Sequence, residues 1–139
     1  MYFIPLFFYF YINIKYINMI KLTFIRGKKW QVDEPIKHRL HDHTTIIIPK
    51  GFTTDLSSVP KFLWGIFPPF GNFLLASIVH DYLYVIKYKS NRRFCDKEML
   101  YLSNKLNKNK IDNYIRYYAV RLFGWIYWDY VDIQNELKY

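Results

Sequence analysis

Residues 72–106 read NFLLASIVHDYLYVIKYKSNRRFCDKEMLYLSNKL, and the reading of this stretch decides the fold. Leu74, Leu75, Ile78, Val79, Leu83 and Val85 crowd a segment without Pro or Gly, which predicts a long helix over about 72–87. Lys87 to Ser90 form a polar break. Ser90 or Asn91 can then cap a second helix over about 91–106, whose Phe94, Met99, Leu102 and Leu106 give an apolar stripe. Two helices joined by so short a break fold back as an antiparallel hairpin. Residue 88 lies midway between residues 80 and 96, inside the break, so Asp96 comes level with His80 where both face inward.

That register defines a candidate site. His80 and Tyr84 are four residues apart and share a helix face, with Ser77 one turn earlier. An imidazole and a carboxylate among apolar neighbours are costly unless paired. A carboxylate on one imidazole nitrogen fixes the tautomer and raises the basicity of the other, as a general base requires. Asp81 points about 100° away along the helix and can face another space, where it can hold a cation. The competing reading is a structural hydrogen bond or ion pair tying two helices together.

Working outward, a final helix over about 110–128 is apolar nearly all round, which places it in the core or against a membrane or partner. Upstream, residues 21–26 and 29–33 flank Gly27-Lys28 as a hairpin, and TTIIIP over 44–49 is a strand whose Pro49 marks an edge. EPIKHRLHDH between them reads as a loop containing at most a short strand. A short helix over about 59–66 is capped by Ser58 with Pro60 in its first turn. The expected fold is α+β: a small N-terminal antiparallel sheet followed by a three- to four-helix bundle.

The loop Gly51-Phe52-Thr53-Thr54-Asp55-Leu56-Ser57-Ser58-Val59-Pro60 joins strand to helix. Gly51 supplies the positive φ of a sharp exit. Asp55 is placed to ligate a metal or orient a base, against the plainer reading that it and Ser58 only bond backbone amides. His38, His41 and His43 lie in polar loop sequence, and metal binding there is not favoured.

The chain has 139 residues, 52% hydrophobic and 22% aromatic, enough for one domain with a real core. Its single cysteine, Cys95, excludes an intrachain disulfide and a thiolate zinc finger. The net charge of +9 favours an anionic partner, although A/T-rich codons also raise lysine and aromatic content. No phosphate loop, nucleophile elbow or nucleic-acid module motif is present in the sequence. Residues 1–18 form a separable apolar extension, whose uncharged run over 1–14 is too short for a membrane span and unlike a secretory signal. A membrane-contacting segment, an extra packed element and a gene-calling artefact with the start at Met19 are the three readings. The last is preferred, with a single domain over 19–139.

The combined pattern resembles an uncharacterised family of small proteins encoded by tailed phages and prophages. Lys29-Trp30, Ile48 to Asp55 with Ser57-Ser58-Val59-Pro60, Leu63-Trp64, Phe67-Pro68-Pro69, Gly71, Ala76, His80-Asp81 with Leu83-Tyr84, Asp96 and Ala119 to Gly124 carry it, over about residues 21–128. The resemblance implies viral or prophage origin, with a virion or the infected-host cytoplasm as location, and supplies no activity. His80-Asp81, Tyr84 and Asp96 are also similar to the helix motif of the phospholipase A2 superfamily. That similarity implies His80 as the base activating water, Asp96 and Tyr84 as its orienting partners, and Asp81 as a ligand for a divalent cation such as calcium. The superfamily's Gly- and Cys-rich calcium loop and its disulfides are absent. Two functions are therefore expected: a metal-assisted hydrolase at an anionic membrane lipid, or a non-catalytic virion or assembly protein in contact with other virion proteins.

Overall fold

A computed structural model describes residues 20–27, 29–56, 65 and 71–136, with side chains described up to residue 130. The apolar extension, the helix expected over 59–66 and the residues Ser57, Ser58 and Pro60 lie outside the described residues.

The N-terminal half makes two small antiparallel sheets. Strands β1 (Leu22–Ile25) and β2 (Lys29–Val32) form the expected hairpin, with Gly27 at φ +86° in its turn. Strand β3 (Ile36–Arg39) pairs with β4 (Thr45–Ile48), so the segment read as loop is in part a ladder strand. The sequence allowed a short strand here without placing it, because Lys37, His38 and Arg39 hide the alternation that would mark a half-buried strand. The uniform TIII of β4 resolves into alternation in space: Ile46 and Ile48 are buried, while Ile47 is exposed.

Gly51, at φ +88°, turns the chain from β4 back to β2. Its amide donates to the Val32 carbonyl, and the Val32 amide donates to the Phe52 carbonyl. Residues 53–54, expected as loop, instead form β5 (Thr53–Thr54) on the free edge of β2, giving the order β1-β2-β5. Trp30 comes opposite Thr54 in this register.

The C-terminal half is helical, and the arrangement as a whole is α+β. A 3-10 turn at Gly71–Phe73 leads into α1 (Leu74–Val85), followed by α2 (Arg92–Leu106) and α3 (Lys110–Glu136). Asn91 caps α2, its side chain accepting from the Phe94 amide at 3.0 Å. Lys87, Lys89 and Ser90 all adopt left-handed φ near +50° in the hairpin turn, a costly conformation for residues with a Cβ. Tertiary contacts hold it there. Lys87 donates to the Trp128 carbonyl and lies over that ring at 3.8 Å, while Lys89 pairs with Asp42 at 2.6 Å.

The core gathers Val32, Leu40, Ile46, Ile48 and Leu56 from the sheets with Ile78, Val79 and Leu83 of α1, Met99 and Leu102 of α2 and Val120 of α3. Each fully buried side chain of this kind contributes about 1.5–3 kcal/mol, which fixes the sheets against the helix hairpin. The third helix, read as apolar all round, buries polar Asn113 and Arg116 on its inner face and runs on past 128 to Glu136.

Candidate functional site

The hairpin brings His80 of α1 level with Asp96 of α2, where His80 Nε2 and Asp96 Oδ1 are 2.8 Å apart. Both side chains have no exposed surface. Tyr84, one turn beyond His80, donates its hydroxyl to the same Oδ1 at 2.5 Å. Asp96 Oδ2 accepts from Arg121 of α3 at 2.5 Å and from Arg92 of α2 at 3.5 Å. One carboxylate thus ties all three helices together. Arg121 and Arg92 were not singled out from sequence, because their reach to Asp96 depends on how α3 is placed.

Gly124 of α3 is part of this construction. A Cβ there would lie 2.7 Å from the Tyr84 hydroxyl and 3.3 Å from Arg92 Nη1. Only a residue without a side chain lets α3 come so close to the phenol. Tyr127 and Trp128 close over the Tyr84 ring at 6.0 and 5.0 Å between centroids.

Asp81, the neighbour of His80, is also buried and accepts a hydrogen bond from the Thr54 hydroxyl of β5. Thr54 Oγ1 in turn accepts from the Leu56 amide at 3.0 Å, which supports Leu56 at φ +57°. The Gly51–Asp55 segment therefore does meet the His-Asp pair, through Thr54. Asp55 and Asp81 both lie close enough to Tyr127 for their charges, with burial as the larger cause, to raise that phenol above its ordinary pKa.

Desolvation, the largest single influence on the His80 imidazole, would push its pKa down, but the carboxylates of Asp81 and Asp96 together raise it above the ordinary 6.5. Burial acts on Asp96 in the opposite sense and is outweighed by His80, Tyr84 and Arg121, so its pKa falls below the ordinary 3.8. Burial and the Asp96 charge both raise Tyr84, keeping it a neutral donor. The remaining imidazole nitrogen, His80 Nδ1, is buried without a hydrogen-bond partner, and Asp81 Oδ1 stands 3.9 Å from it, beyond bonding range. Cys95 beside Asp96 is buried, and its thiol is pushed up to about 12, so it is an unreactive packing residue.

These shifts set a pH dependence of stability. A raised histidine pKa gives stability that is complete below 6.5 and lost as pH climbs through the folded value. A lowered carboxylate pKa gives stability that is present above the ordinary 3.8 and lost as pH falls through the folded value. Urea unfolding across pH is expected to show a plateau between these limits and a decline on the alkaline side. His80→Gln should remove the alkaline decline, and a decline of equal size in that variant would refute its assignment to His80.

A second buried carboxylate went unread in the sequence. Glu98 of α2, with no exposed surface, accepts from His38 Nε2 at 2.9 Å, from the His41 amide at 2.9 Å and from His41 Nδ1. The His41 ring stacks on Phe94 at 4.4 Å between centroids. The two histidines thus clamp the β3–β4 sheet to α2, and His43 takes a left-handed turn position at φ +71°. Only the recognition of β3 as a strand would have shown that His38 points at the helix.

Among the described residues, no group of three or more His, Cys, Asp and Glu side chains gathers round a point that could hold a metal ion. Calcium takes about 6–8 oxygen ligands, and Asp81 with Asp55 supplies two carboxylates toward that number. The described side chains do not by themselves build such a centre.

Fold and site together define a small α+β protein with a buried His-Asp centre in a helix hairpin. A family model described as protein of unknown function (DUF1353) matches residues 30–120, and the chain belongs to that family. The match takes in most of β2, all of β3 to β5, the whole helix hairpin and the buried carboxylates Asp96 and Glu98, and it ends before Arg121. Neither the curated proteins nor the solved structures compared with the chain gave a match.

Proposed function

We propose that this protein is a phage- or prophage-encoded hydrolase in which His80 activates water for attack on an ester bond, phospholipid esters being the substrate class its motif resembles. The observation that supports this reading is the division of labour at the His80 ring. Nε2–H is anchored on Asp96, which leaves Nδ1 as the lone-pair nitrogen, without a hydrogen-bond partner. In the reaction Nδ1 takes a proton from water, the hydroxide adds to the ester carbonyl, and the resulting imidazolium returns the proton to the departing alkoxide. Asp96 stabilises the imidazolium. Tyr84 and Arg121 are positioning residues that hold Asp96. Asp81 and Asp55 are the carboxylates proposed to meet a divalent cation such as calcium, with further oxygens from backbone or solvent.

The test is hydrolysis of short-chain and phospholipid esters by the purified chain, with calcium and with a chelator. Because His80 must be neutral to act as base, the rate should rise with pH through a pKa above 6.5. His80→Gln should lower it by roughly 100-fold or more while leaving the circular dichroism unchanged.

A second reading is favoured by one observation: His80 and Asp96 have no exposed surface, as in a structural cross-link. In that reading the protein is a non-catalytic virion or assembly component. A well-folded wild type that turns over none of the esters, together with a His80→Gln variant that loses stability alone, sinks the hydrolase and supports the cross-link.

A further inference from the structure

The outer face of α3 is apolar and uncovered. Ile111, Tyr114, Ile115, Tyr118, Leu122, Trp125 and Ile126 are between 44% and 75% exposed. At about 100° per residue they fall within one arc about 120° wide, running roughly 22 Å along the helix. Asn113, Arg116, Val120 and Gly124 occupy the opposite side and are buried against the rest of the protein. A face of this size on a folded protein marks an interaction surface.

The exposed charges of α2 and of the turn into α3 carry one sign. Between Asn91 and Trp128, the exposed charged residues are Arg93, Lys97, Lys105, Lys108 and Lys110, all basic. The acids of the same span are withdrawn: Asp96 and Glu98 are buried, and Asp112 is half-buried beside Arg116 at 3.5 Å. The first exposed acid is Asp129, beyond the strip. The whole chain carries +9.

We infer that this face is a docking surface for an anionic lipid bilayer, on which α3 lies in the plane of the interface. Tyr and Trp side chains with an apolar body and a polar tip suit the headgroup boundary, and Ile and Leu beside them enter the acyl region. The cations of α2 and of the turn into α3 meet the lipid phosphates. No helix among the described residues is long and apolar enough to cross a membrane, which fits attachment along the surface. A second copy of the chain is the poorer occupant, since it would set like-charged surfaces side by side. The inference does not rest on the hydrolase reading, because binding is measured without turnover.

The test is co-sedimentation of the full chain with vesicles of phosphatidylcholine alone and with about one-third phosphatidylglycerol, near 0.1 M salt. Binding to the anionic vesicles is expected to be at least tenfold tighter. Leu122→Asp, at a 67% exposed position, and Ile111→Asp, at a 75% exposed position, should each weaken it about tenfold with unchanged circular dichroism. Neutralising Lys105, Lys108 and Lys110 to Gln together should bring it close to the phosphatidylcholine level. Absence of binding to both vesicles, or binding unchanged by both Asp variants, overturns the inference. So does a dimer in light scattering that Leu122→Asp disperses, since a second copy would then own the face.

Discussion

Asp96→Asn is expected to cost about 3–5 kcal/mol of folding stability, the usual penalty for breaking a buried charge network on one side. The substitution conserves volume, so the loss is electrostatic. Asn offers one oxygen where the carboxylate serves His80, Tyr84, Arg121 and Arg92, and its amide nitrogen must face a donor. His80 has no exposed surface and cannot recover its bond from water, whereas Arg121, 29% exposed, can do so in part. Urea unfolding followed by far-ultraviolet circular dichroism measures the difference. A cost under about 1 kcal/mol would mean that Asp96 does not join the three helices energetically.

Gly124→Ala is expected to destabilise the protein by up to about 2 kcal/mol, against the usual direction for a helix interior. Exchanging Gly for Ala in an exposed helix gains about 1 kcal/mol. Here the new methyl would stand 2.7 Å from the Tyr84 hydroxyl, and that oxygen is pinned 2.5 Å from Asp96. Overpacking of this kind costs about 1–3 kcal/mol. The clash is released if α3 moves outward, which would also lengthen the Arg121–Asp96 contact. A thermal midpoint equal to or above wild type would show that α3 is free to shift. Combining Gly124→Ala with Tyr84→Phe should recover part of the loss, because the crowded oxygen is gone.

Local pattern was enough for much of the architecture. The apolar periodicity on either side of Lys87–Ser90 is strong, and a polar break of that length permits only a tight reversal. Helix ends, the Asn91 cap and the level placement of His80 and Asp96 follow from it. The hairpin around Gly27 and the β4 strand were legible for the same reason: β-branched residues and a glycine turn are local signals. The position of β3 within its segment was not legible, because its register is imposed by β4 and by the Glu98 carboxylate rather than by its own alternation. β5 was missed because two threonines beside a glycine carry no strand signal until β2 offers them a free edge.

The centre itself divides along the same line. His80, Asp81, Tyr84 and Asp96 are found by helical spacing, which the backbone geometry dictates. Arg121 and Arg92 are found only in three dimensions, and so are the contacts that Thr54 and Gly124 make with the centre, since each belongs to a different turn or element and reaches it through packing. The sequence by itself determined that a histidine, the tyrosine one turn on and an acid of the next helix would meet in an apolar helix hairpin, because spacing along a helix is a local property. The tertiary structure decided which nitrogen of His80 is held and which is left without a partner. It also decided which face of α3 is buried, because both depend on the approach of segments far apart in the chain.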